Sequence, residues 1–236
     1  MTDRRPPELL LDGDLPRSQR EALDQLALPL LLLVGGATGT GKSTVTVEVA
    51  HRLGITRVSS TDTVRQTMRA FFSAEFMPSI HYSSFEAGPA VAVPDDEAID
   101  PNLLGFLDQT RNVLVGVNAA IERSLAEGWS TVLEGVHLVP GMVAPISDAL
   151  VVQCVLAIKS EDAHASHFWI RDIASEGARA LDKYLDHLSD IRYLQDYIVE
   201  RAERNDVPVI WNQDREGATS AVMELVLSAA DRLQRV

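Results

Sequence analysis

The chain has 236 residues, enough for one domain with a sizeable core, and its 46% apolar and 23% charged residues suit a globular α/β protein. The net charge is −13 with no basic stripe, which argues against a nucleic-acid partner or an anionic membrane surface. The single cysteine, Cys154, excludes an intrachain disulfide and points to a reducing compartment.

Residues 1–28 read as an N-terminal extension, with a short helix over 16–26. Met1–Pro7 lacks the apolar run of a signal peptide, and Leu26–Val34 is too short to cross a bilayer. The expectation is a cytoplasmic protein whose main domain covers 29–236. Pro29–Val34 is a continuous apolar run and reads as a buried parallel strand. Gly36-Ala37-Thr38-Gly39-Thr40-Gly41-Lys42-Ser43 then fits G-x-x-x-x-G-K-[ST], the phosphate-binding P-loop, and Thr44 follows inside it. Ser43–Leu53 reads as the helix behind the loop, stopped by Gly54. Loop amides and the helix dipole make an anion site. Lys42 is expected to reach the β- and γ-phosphates, and Ser43 to bind Mg²⁺.

Thr56–Ser60 reads as the second strand, with Thr61 or Asp62 capping a helix to about Phe72. Residues 73–100 are irregular, and so long a loop is usually functional or mobile. Pro101–Glu127 has helical apolar spacing over about seven turns, with Gly128 at its C-terminal stop. Thr131–Leu133 is a third strand ending at Glu134, and Leu150–Ile158 a fourth that buries Cys154 as an inert thiol. A helix follows over Glu161–Ile173, and one long amphipathic helix over Ala178–Asn205. Val207–Trp211 is the last strand and Glu216–Leu233 the closing helix. This alternation predicts a P-loop three-layer α/β sandwich: a five-stranded parallel sheet, helices on both faces, and a helical lid over about 160–183.

Ligands of such a sheet bind beyond the carboxyl ends of its strands. Asp62, Glu134 and Asn212 lie there. Asp62 could accept a proton from an attacking hydroxyl, or merely cap a helix. Arg65, one turn on, could clamp a substrate anion. Glu134 ends a Walker B-like strand, where an acid holds Mg²⁺ through water; it could instead meet substrate. His137 could face the same cleft or be structural. His81 and Ser84, in His81-Tyr82-Ser83-Ser84-Phe85, offer donors for phosphate or carboxylate. Arg171 and Arg179, with Lys183 a weaker candidate, lie where lid arginines fold over phosphates. His164 and His167 share a helix face, but nothing nearby completes a zinc site.

The P-loop, Ser59-Ser60-Thr61-Asp62-Thr63-Val64-Arg65, His81–Phe85 and Leu133-Glu134-Gly135-Val136-His137 occur in that order. Together they resemble the 2-phosphoglycerate kinase family, over roughly residues 30–212. The resemblance implies an ATP- and Mg²⁺-dependent kinase acting on a hydroxyl of a small anionic metabolite. Lys42, Asp62 and Arg171 are then catalytic, and residues 36–44 bind nucleotide. Ser43 and Glu134 hold the metal, and Asp62, Arg65, His81, Ser84, Glu134, His137 and Arg179 meet the acceptor. The partner is a small phosphorylated or hydroxy-acid substrate, with no nucleic acid or membrane, and a homodimer is left open. The rivals are a kinase of another sugar or polyol phosphate, a nucleoside kinase, or a nucleotide-dependent switch. A GTPase is disfavoured, since no Asn-Lys-x-Asp is present.

Overall fold

The computed structural model describes residues 28–92, 100–174 and 181–235. Five parallel strands form one sheet in the order β2-β3-β1-β4-β5. They are β1 (Leu30–Gly35), β2 (Val58–Ser60), β3 (Thr131–Glu134), β4 (Leu150–Ala157) and β5 (Val209–Trp211). The helices are α1 (Lys42–Leu53), α2 (Thr61–Phe71), α3 (Pro101–Ala126), α4 (Glu161–Ala174), α5 (Leu181–Asp186), α6 (Leu188–Arg204) and α7 (Arg215–Gln234). Two short 3₁₀ turns, Pro78–His81 and Gly88–Ala90, punctuate the long loop.

The sequence of β1 dictates its central place. All six of its residues are buried, because both sheet faces are covered. Leu30, Leu32 and Val34 point to a layer built with Val45 and Val49 of α1 and Val222 and Val226 of α7. Leu31 and Leu33 point the other way, to Val113, Val117 and Ile121 of α3. Further along that face, Phe106, Ile191, Leu194 and Ile198 pack α3 and α6 over Val155. A side-chain period of two between two covered faces is why the strand reads as unbroken leucine. The result is the expected three-layer α/β/α sandwich. Cys154 is fully buried, and burial pushes its thiol up to about 12, so it is inert.

Two expectations need correcting. The residue capping α2 is Ser60, whose Oγ accepts from the Thr63 amide at 3.1 Å, rather than Thr61 or Asp62. The expected single helix over 178–205 is broken at His187 into α5 and α6. The two pieces have different partners: Lys183 and Tyr184 meet Glu86 and Phe85 of the long loop, while Ile191, Leu194 and Ile198 pack on the sheet. One straight helix could not serve both. The proposed N-terminal extension, apart from Leu28, and residues 175–180 of the proposed lid lie outside the described residues. None of the described helices is long and apolar enough to cross a membrane.

Candidate active site

The strand ends β1, β2, β3 and β5 open on a cleft of about 760 Å³. One wall is the P-loop. Gly36, Gly39 and Gly41 hold φ of 137°, 85° and 83°, the left-handed region that lets successive amides converge on an anion. Thr38, Gly39, Gly41, Lys42, Ser43 and Thr44 line the cleft. Ala37 and Thr40 are buried behind them, joined by a 3.0 Å bond from Thr40 Oγ1 to the Ala37 carbonyl. Lys42 Nζ donates to that same carbonyl at 2.6 Å, which holds the ammonium at the loop's mouth. Burial pushes the Lys42 pKa down from its ordinary value, and the Glu134 carboxylate opposes the shift.

Ser43 Oγ donates to Glu134 Oε1 at 2.9 Å. The β1–β3 register, Val34 opposite Glu134, brings them together across 91 residues of sequence. Hydroxyl and carboxylate side by side suit a hard cation that takes its other ligands from phosphate and water. Among the described residues, no group of three or more His, Cys, Asp or Glu could hold a metal alone. The donor set therefore fits Mg²⁺ arriving with a nucleotide.

The opposite wall comes from α2, α3 and the long loop: Asp62, Thr63, Arg65, Ser83, Ser84 and Gln109. Arg65 is nearly buried, and its donors are engaged within the protein. Nε and Nη2 meet Asp62 Oδ1 at 2.9 and 2.8 Å. Nη1 donates to the Ile80 and Tyr82 carbonyls at 2.7 and 2.9 Å. Arg65 thus aims Asp62 and holds the loop, where the sequence suggested a clamp on substrate. Asp62 is exposed to the cleft. His137 is among the residues lining the cleft, but it is 1% exposed and its ring is held within the protein. Gln109 Nε2 donates to the Ser79 and Tyr82 carbonyls, so its Oε1 must accept from His137 Nε2, 2.9 Å away. His137 Nδ1 then accepts from Thr61 Oγ1 at 2.8 Å. Burial, reinforced by the Arg65 charge, pushes His137 down to about 3, with Asp62 opposing. The ring is therefore neutral.

His81 is turned away from the cleft, its Nε2 bonded to the Phe72 carbonyl at 2.9 Å. Ser84 reaches the cleft. The Arg171 side chain and the whole of Arg179 lie outside the described residues. Sequence reasoning missed Gln109, although it lies three residues after Phe106 and four before Val113, on the buried stripe of α3. It also assigned no site role to Asn212, whose Nδ2 donates to the Thr40 carbonyl at 3.0 Å.

Known proteins share this arrangement of sequence. The chain is 42% identical over 194 residues to 2-phosphoglycerate kinase of Thermococcus kodakarensis, covering 82% of this chain and 65% of that one. It is 40% identical to 2-phosphoglycerate kinase of Methanothermobacter thermautotrophicus, over 79% of this chain and 61% of that one. The chain is homologous to 2-phosphoglycerate kinases. It spans less than two thirds of the length of these curated 2-phosphoglycerate kinase relatives. No protein-family model matches it.

Proposed function

We propose that the chain is an ATP-dependent kinase that transfers the γ-phosphoryl group to a hydroxyl of a small anionic metabolite of the 2-phosphoglycerate type. The observation that carries this reading is the Ser43–Glu134 pair and Lys42 facing the Asp62–Arg65 pair across one cleft. The relatives supply the substrate type. Loop amides and Lys42 grip the triphosphate, and Ser43 with Glu134 would hold Mg²⁺. When bound, that ion neutralises charge on the phosphates. Arg65 holds Asp62 Oδ1, so Oδ2 takes the proton of the acceptor hydroxyl. The acceptor hydroxyl's oxygen then uses its electron pair to form the bond to the γ-phosphorus. The bond from phosphorus to the bridging oxygen breaks, and ADP leaves with its electron pair. Such transfer depends on positioning and charge more than on covalent help from the protein. We place the reaction in the cytoplasm, where ATP is abundant.

The test is ADP release screened across phosphoglycerates, sugar phosphates, polyols and nucleosides. The expected result is release that depends on 2-phosphoglycerate and is abolished by Lys42→Ala. Asp62→Asn should lower kcat about 10²-fold or more, as loss of a general base does, with ATP affinity little changed. ATP turnover indifferent to every acceptor would instead support a nucleotide switch, and an unchanged kcat in Asp62→Asn would remove Asp62 from the chemistry.

A further inference from the structure

A loop that turns its amides inward to an anion must turn its carbonyls outward. Buried carbonyls need donors of their own. Here the carbonyls of residues 37–41 each have one, and the donors come from three places. The Ala37 carbonyl takes Lys42 and Thr40, the Gly41 carbonyl takes the Val45 amide, and the Thr40 carbonyl takes Asn212 of the segment after β5. The two carbonyls at the tip, Thr38 and Gly39, are met from α4. His164 Nε2 lies 2.8 Å from the Thr38 oxygen, and His167 Nδ1 lies 3.0 Å from the Gly39 oxygen.

A carbonyl only accepts, so each of these ring nitrogens carries the proton. When neutral, the two histidines are opposite tautomers. His164 is fully buried and its Nδ1 has no hydrogen-bond partner. Burial pushes its pKa down to about 4, so the ring is neutral and its one N–H is spent on the loop. Its ring stacks on Phe168, which stacks in turn on Tyr184 of α5, at centroid distances of 5.4 and 5.0 Å. The Phe168 ring would stand 2.5 Å from a Cβ at Gly39, so α4 presses directly on the loop tip. His167 is half-buried and lines the cleft.

We propose that His164 and His167 are positioning residues for the nucleotide's phosphates, acting through the Thr38 and Gly39 carbonyls to set the direction of the tip amides. The proposal rests on the reading that this loop grips a triphosphate. It gives the pair a role other than metal ligation.

The experiment is direct titration of ATP with Mg²⁺ onto the full chain, with acceptor kinetics measured beside it. His164→Phe and His167→Phe keep a flat ring and lose the donor. Each should weaken ATP binding about fivefold, the usual worth of one hydrogen bond, with the acceptor KM within about twofold of wild type. His164→Gln and His167→Asn return an N–H near the lost one and should recover most of the affinity. Phenylalanine variants that bind ATP like the wild type would overturn the proposal. So would amide variants no better than the phenylalanines, since the rings would then matter only for packing. Should His164→Phe fail to fold, His167→Phe at the cleft wall carries the test. A wild-type chain that binds no ATP, like its Lys42→Ala control, would sink the phosphate reading itself and this proposal with it.

Discussion

Arg65 takes one carboxylate oxygen of Asp62, which leaves the other for the proposed proton transfer. That division could not be read from the sequence. Spacing put Arg65 one turn beyond Asp62, but the carbonyls of Ile80 and Tyr82 that consume its remaining donors arrive from a loop with no regular structure. Gly135 teaches the converse. Its φ is 152°, and a Cβ there would lie 1.9 Å from Thr61 Oγ1. The absent side chain lets Thr61 reach His137, and so stitches the end of β3 to the start of α2. The Glu-Gly-Val-His stretch thus has a physical reason at three of its four positions: a partner for Ser43, a close approach, and a buried acceptor. Gly135→Ala should cost about 3 kcal/mol of stability through overlap and backbone strain, measured by urea unfolding. Pairing it with Thr61→Ala should cost less than the sum of the two single changes, because the crowded hydroxyl is gone. Strict additivity would mean that the two residues do not meet.

The elements that sequence located best are those whose cause is local. The strand, glycine turn and helix of the P-loop, and α3 from Pro101 to its Gly128 stop, follow from apolar period and end signals carried by adjacent residues. The failures are tertiary. Helical spacing runs through His187, but Glu86 and Asp190 both bind its ring, at 3.3 and 2.9 Å, and the helix is divided so that α5 can lie on the long loop. The cap of α2 lies one or two residues before Thr61 or Asp62, the expected positions, for a similar reason. Thr61 looks like a cap, but its hydroxyl is drawn inward to His137, so Ser60 takes the capping role. Ser60→Ala should therefore lower stability by about 1 kcal/mol. Thermal or urea unfolding checks this, and no loss of stability would return the cap to another residue.

Across the whole molecule, two buried neutral imidazoles couple the fold to pH. His137 and His164 are pushed down to about 3 and about 4 from an ordinary 6.5. Unfolding releases both into water, where they bind protons below about pH 6.5. The unfolded chain then holds more protons than the folded one, so stability rises with pH through this window. Above about pH 6.5 neither state is protonated, and the contribution is complete. As pH falls from 6.5 towards 4, each histidine removes about 1.4 kcal/mol of stability per pH unit. The His164 contribution ends near pH 4, and His137 continues alone to about 3. His137→Asn is expected to be less stable than wild type at pH 7, since it breaks the Thr61–His137–Gln109 chain. Its stability should nevertheless fall less steeply between pH 6.5 and 4, by about 1.4 kcal/mol per unit, the share of one titrating group. Urea unfolding at half-unit steps gives both slopes, and carboxylates common to the two proteins cancel in the difference. Equal slopes would mean that His137 binds its proton as readily inside the protein as outside. The buried Thr61–His137–Gln109 chain that joins α2 to α3 would then have to be redrawn.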